Sequence, residues 1–171
     1  IAKMLDFDLR VLGIEIYNDL CATGYGDPNK GWGLKFWDQA LSSGRRCMGF
    51  CVPDHTVGKG KNILLVPEFN EHECLKAYRK GAFFGVVLDN GLRFTSIELK
   101  QNTLLIETNR TSTIRLATNK GEALKRAGRT KYEYEIPVNS EGQPEIMYVR
   151  IEAWDEESAQ IFSQPVRFLP A

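Results

Sequence analysis

An α/β segment followed by an antiparallel all-β segment is the architecture this chain predicts, on three grounds. Apolar residues recur at helical spacing only before about Phe84. From about Gly85 onward the chain consists of short runs, mostly of alternating polarity, punctuated by Asn, Gly, Ser and Asp. The content of 43% hydrophobic residues in 171 suffices for a core in one or two domains. The expected domains are residues 1–85 and 86–171.

In the first segment, "VLGIEIYN" reads as a short apolar strand. "KGWGLKFWDQALSSG" carries Leu34, Trp37 and Leu41 at helical spacing, with Phe36 and Ala40 widening the stripe and Gly44 stopping it. "RRCMGFCV" is a second strand, and "NILLVPE" is a third strand or an extended crossover. "NEHECLKAYRKG" is a helix: Asn70 caps its start, Glu73 holds the capping-box position and Gly81 marks its end. Strands alternating with helices imply a parallel sheet with crossover connections.

In the second segment, "LRFTSIELK", "TLLIETN", "STIRLATN", "KYEYEIPV", "EIMYVRIEAW" and "AQIFSQPVRFL" read as separate strands of an antiparallel sandwich. Tyr132, Tyr134 and Ile136 are expected to point one way while Lys131, Glu133 and Glu135 meet water.

Composition narrows the function classes. Acids and bases balance at 22 each, so no overall field favours nucleic acid or an anionic membrane. The longest apolar runs fall far short of the roughly 20 residues of a membrane span. A soluble protein is expected, cytoplasmic or periplasmic. The chain opens "IAKMLDFDLR" without an initiator Met, so it reads as processed or incomplete, and the lack of a leader carries no information on export. Cys21, Cys47, Cys51 and Cys74 form neither a C-x-x-C knuckle nor a disulfide scaffold. Cys47 and Cys51 face one side of a strand but lie roughly 13 Å apart, too far to bridge, so buried free thiols are expected.

Together, "GIEIYN", "WDQALSSGRRCMGFCVPDHT" and "ECLKAYRKGAFFGVV" resemble the closing segment of the polymerase and histidinol phosphatase (PHP) superfamily. There a strand ending Glu-x-x-Asn precedes a helix reading W-D-x-x-L-x-x-G, the next strand ends in a metal-binding Asp-x-His, and a helix with A-x-x-x-G-x-F-Y follows. Some members, metal-dependent phosphoesterases, also carry a C-terminal β-sandwich, and "YVRIEAWDEESAQIFSQPVRF" is similar to its closing strand pair. The resemblance covers about residues 12–168.

The resemblance implies the last strands and helices of a distorted (β/α)7 barrel followed by an immunoglobulin-like sandwich. It also implies a cluster of divalent Zn, Mn or Fe ions that hydrolyses phosphate esters, chemistry that needs several imidazole and carboxylate ligands. The family's opening His-x-His does not occur, and the chain has two histidines, so it is expected to be a fragment inactive by itself. Its partners would be the missing N-terminal segment of the same protein and a small phosphorylated substrate. The metal ligands it retains would be Asp54 and His55, although the family pattern places its His where Thr56 stands. Adjacent strand residues face opposite ways, so His55 substitutes only if the backbone turns at Pro53; the rival reading, favoured for this segment alone, is that Asp54 and His55 form a polar turn after the proline.

Other residues join that site by position. Glu15, Tyr17 and Asn18 close a strand where barrel active sites gather, with Glu15 and Asn18 either substrate contacts or, the commoner case, the end of an alternating strand. Lys59 or Lys61 in "VGKGKN" could screen an anion, although the spacing is not that of a phosphate-binding loop. "TGYGDPNKGWG" reads as a lid or a surface connection. Trp32, Phe36 and Trp37 at helical spacing read as core before they read as a sugar platform, and His72 as solvent-facing. Asn109-Arg110-Thr111 matches a glycosylation acceptor. No catalytic residue is assignable. The alternative function is a non-catalytic binding or structural module whose sandwich recognises a partner or a carbohydrate. A half-barrel exposes strand edges and an apolar interior, so the segment alone is expected to aggregate or to pair with its missing part.

Overall fold

The structure, a computed structural model, describes residues 11–24, 27–54 and 58–168. These are mostly antiparallel β-sheet with three α-helices, the architecture expected where a β-sandwich dominates. The chain divides after Leu88 into two compact units, with Phe162–Gln164 returning to the first.

In the first unit, strand β1 (Gly13–Asn18) runs parallel to β2 (Met48–Val52). Between them lie α1 (Asp19–Gly24), a 3-10 turn over Pro28–Gly31 and α2 (Leu34–Ser42). Helix α2 forms as the spacing predicts: Trp37, Ala40 and Leu41 are buried, and the Trp37 Nε1–H donates to the Cys47 carbonyl at 2.9 Å. Phe36 departs from the expected stripe and stands exposed. One residue before Trp37, it is turned about 100° around the axis from the buried face. Trp32, read as core, is half-buried with its ring centroid 4.7 Å from that of Tyr17.

The expectation of parallel strands with crossovers holds for β1 and β2 and fails for the next pair. β3 (Gly60–Leu64) and β4 (Phe83–Val87) are antiparallel, although α3 (Glu71–Lys80) lies between them. "NILLVPE" contributes only its first three residues to β3, and Leu65–Glu68 lead into the helix instead. Helix α3 begins and ends as its local chemistry dictates. The Asn70 side chain accepts from the Glu73 N–H at 2.9 Å, and Gly81 adopts φ 75°, the left-handed cap that glycine tolerates. His72 is exposed in the first turn.

Among the described residues no strand pairs with the second edge of β2 at Gly49 and Cys51; two side-chain amides do. Asn62 accepts from the Cys51 N–H and donates to its carbonyl, each at 3.0 Å. Gln164 does the same at Gly49, at 3.0 and 2.9 Å. Each amide mimics a neighbouring strand, satisfying buried backbone groups that are costly to leave unpaired.

The second unit is built on a long ribbon, β6 (Thr103–Thr118) with β7 (Gly121–Glu135). On the other side β6 pairs with β5 (Phe94–Lys100) and then with β8 (Tyr148–Trp154), all antiparallel. β8 also pairs with β9 (Gln160–Ser163) and β10 (Val166–Arg167). "TLLIETN" and "STIRLATN", read as two strands, are one. The polar stretch Thr108–Thr111 is not a turn: pairing with β7 shifts register there and the strand continues. Tyr132 and Ile136 are buried and Tyr134 half-buried, while Lys131, Glu133 and Glu135 are exposed, as alternation requires. On β6 and β8, Ile114 faces Ala153 and Leu116 faces Ile151, all buried. The intervening rows on the opposite face set Thr113 against Trp154 and Arg115 against Glu152.

Candidate functional site at the end of the parallel strands

The carboxyl ends of β1 and β2 lie side by side because the strands are parallel, with Asn18 registered against Val52. In a regular strand Glu15 and Asn18, three apart, would face opposite ways. A register shift between Glu15 and Tyr17 changes that, since a bulge re-aims the side chains beyond it. The Asn18 Nδ2 then donates to Glu15 Oε2 at 2.9 Å and to Asp54 Oδ2 at 3.2 Å. Its Oδ1 accepts from the Cys21 N–H at 2.9 Å, capping the start of α1. The cap orients the amide so that its NH₂ group faces the two carboxylates.

Asp54 has φ 55°, a left-handed conformation that aspartate tolerates better than most residues. The chain therefore turns sharply just after Pro53. His55, the other expected metal ligand, and Thr56 lie outside the described residues.

Asp19, which the sequence did not single out, is the buried acid next in the chain to this cluster, at 3% exposure. Its Oδ1 accepts from the Tyr17 hydroxyl at 2.7 Å, and its Oδ2 from the Lys59 backbone N–H at 3.2 Å. Lys59 thus meets Asp19 through its main chain, while the residue itself is exposed. Gly58 permits the approach: a Cβ there would sit 2.4 Å from Pro53 Cβ and 3.2 Å from Asp19 Oδ2. The sequence signal for Asp19 was its place as the first residue of a helix following a strand, where an acid suits the helix dipole.

Three of the expected residues, Glu15, Asn18 and Asp54, are therefore joined in one hydrogen-bonded group, while the Lys59 main chain bonds Asp19, the residue that follows Asn18. The donor set is short of what a metal cluster needs. Both Asp19 oxygens have protein partners, and Glu15 and Asp54 share one amide. Among the described residues no group of three His, Cys, Asp or Glu is placed to hold a metal ion. These side chains do not by themselves fit a metal centre. Among the described residues, no helix is long and apolar enough to cross a membrane.

The four thiols are free. Cys47 and Cys51 are buried as expected, whereas Cys21 and Cys74, each on a helix, are only half-buried. Burial pushes the Cys47 thiol from 9.0 up to about 11, against a smaller opposing effect of the Ile14 backbone. Burial likewise pushes up Cys51, and burial together with the Asp19 carboxylate pushes up the Tyr17 phenol. An acid with a raised folded pKa keeps its proton while the unfolded chain releases it. Its stabilisation is complete below the unfolded value and is lost as pH rises through the folded one. Stability is expected to hold up to about pH 9 and to fall towards pH 11, by at most about 1.4 kcal/mol per pH unit for each group. Urea midpoints at a series of pH values check this, and a steeper loss for wild type than for Cys47→Ala is the expected signature.

Comparison with protein-family models, with curated proteins and with solved structures finds no match for this chain.

Proposed function

We propose that the chain forms part of a PHP-like metal-dependent phosphoesterase. In this reading the first unit belongs to the closing strands of a distorted (β/α)7 barrel, and the second is an immunoglobulin-like sandwich. The observation that carries the proposal is the convergence of Glu15 and Asp54, 39 positions apart in the chain, on the Asn18 amide at the carboxyl ends of two parallel strands. Carboxyl ends of parallel strands are where α/β folds place their chemistry.

Asn18 holds the two carboxylates in place. Asp54, with His55, would offer ligands to divalent Zn, Mn or Fe ions whose remaining ligands come from polypeptide outside these residues. Such ions would supply an activated water and neutralise phosphate charge. Glu15 and Asn18 would contact a small phosphorylated substrate, and the exposed Lys59 would screen its charge.

The test uses the product of the complete reading frame, purified without chelators. Elemental analysis is expected to find bound transition metal, and bis(p-nitrophenyl) phosphate is expected to be hydrolysed. Asp54→Ala should lower that rate by about a hundredfold or more. A product carrying no transition metal and lacking hydrolysis would remove the proposal.

A further inference from the structure

The second unit holds a cleft of about 600 Å³, within the roughly 300–1,000 Å³ range of small-molecule sites. Its origin is a matter of register. Trp154, Thr113 and Ala127 form one row across β8, β6 and β7, so a large ring stands beside two small side chains on one face. The next step along the ribbon pairs Ser112 with Arg129 and Thr113 with Ala127, leaving Gly128 unpaired at φ 78° and widening the opening. The buried Tyr132 fastens this bulge, its hydroxyl bonding to backbone atoms of Ser112 and Arg129. Asp155, Glu156 and Glu157 form a further wall.

The chemistry of the walls narrows the ligand. Trp154 is half-buried, and the Lys125 ammonium lies over its ring at 5.7 Å from the centroid. The Arg110 guanidinium is neutralised by Asp155 at 2.6 Å, and the exposed Glu156 and Glu157 outnumber Lys125, the further cation over Trp154. That rim disfavours phosphate and other anions. The Arg110 side chain lines the cleft and is 38% exposed, so the guanidinium offers donors to a bound molecule there. A pyranose fits this combination, having an apolar face for an indole and hydroxyls that donate to carboxylates and accept from a guanidinium.

We propose that this cleft binds an uncharged oligosaccharide, with Trp154 as the stacking platform and Arg110, Glu156 and Glu157 as partners for its hydroxyls. The proposal stands apart from the phosphoesterase reading, since every residue it uses lies in the second unit. Maltotriose, cellotriose and chitotriose are titrated separately against the full chain, by calorimetry and by NMR of the indole N–H signals. At least one is expected to bind saturably, shifting the Trp154 indole and the amides of residues 111–113, 127–128 and 155–157. Trp154→Ala should weaken binding by about tenfold or more. Ala127→Leu, which fills the cleft from an exposed position without deleting a contact, should weaken it similarly while the melting transition is retained. The proposal is overturned if none of the three sugars moves these signals, or if Ala127→Leu binds as wild type does. It is equally overturned if trilysine occupies the cleft and the sugars do not, which would assign the site to a cationic peptide.

Discussion

Replacing Glu152 by alanine is expected to destabilise the second unit by about 3 kcal/mol, because it removes the anion that pairs the buried Arg150 guanidinium, while Arg115, its other partner, is partly exposed to water. Glu152 is 5% exposed and Arg150 3%. The Arg115 Nε donates to Glu152 Oε2 at 2.9 Å, and the Arg115 Nη2 and Arg150 Nη1 bond to the same carboxylate. The arrangement follows from pairing, since Arg115 sits directly across from Glu152, and Arg150 is two residues before it on the same face of β8. Desolvation of these charges consumes much of their attraction, so breaking the group costs more than the group contributes. The companion variant Arg150→Met/Glu152→Leu should therefore recover most of the loss. Urea denaturation of the two variants beside wild type decides the matter; equal losses in both would show that the charges are irreplaceable rather than mutually compensating.

Asp155→Ala should cost about 3 kcal/mol, with loss of order in the turn that follows β8. The carboxylate is 8% exposed and has four partners. Its Oδ1 accepts from the backbone N–H of Glu157 and of Ala159, each at 3.1 Å; its Oδ2 accepts from Asn90 Nδ2 at 2.8 Å and Arg110 Nη2 at 2.6 Å. Burial works to raise its pKa, but these hydrogen bonds and the Arg110 charge outweigh it and hold the carboxyl below its ordinary 3.8. A carboxylate with a depressed folded pKa stabilises fully above the unfolded value, and that stabilisation is lost as pH falls through the folded one. Wild type should thus lose stability below about pH 4, and Asp155→Asn should show a flatter acid limb in the same window. Amide exchange at Glu157 and Ala159 should quicken in Asp155→Ala, whereas unchanged protection there would mean that the carboxylate does not organise the turn. Because the same carboxylate neutralises Arg110, this variant would also disturb the cleft beside Trp154.

What was legible in the sequence is what local chemistry controls. Asn70 and Gly81 bound α3 because a capping amide and a left-handed glycine act within a few residues of themselves. Tyr132 and Ile136 turn inward because alternation is a property of any strand. The grouping of Glu15, Asn18 and Asp54 was legible only as three candidates near two strand ends. Their contact depends on a bulge at Ile16 that no residue type announces, and Asp19 went unread because its partners, the Tyr17 hydroxyl and the Lys59 backbone, converge on it only when the chain is folded. The antiparallel pairing of β3 with β4 escaped the pattern for a related reason: a helix between two strands fixes the length of the connection, not the direction in which the second strand returns.

By itself the sequence determined the helices α2 and α3, the approximate places of most strands and the alternation of their faces, since propensity, capping and periodicity act over one or two turns of chain. Only the tertiary structure decided that Asn62 and Gln164 complete the edge of β2, that Thr108–Thr111 continue a strand, and that Trp154 stands beside Thr113 and Ala127. Those outcomes depend on register between segments far apart in the chain. Register is chosen by the summed burial and hydrogen bonding of whole strands rather than by any residue within them.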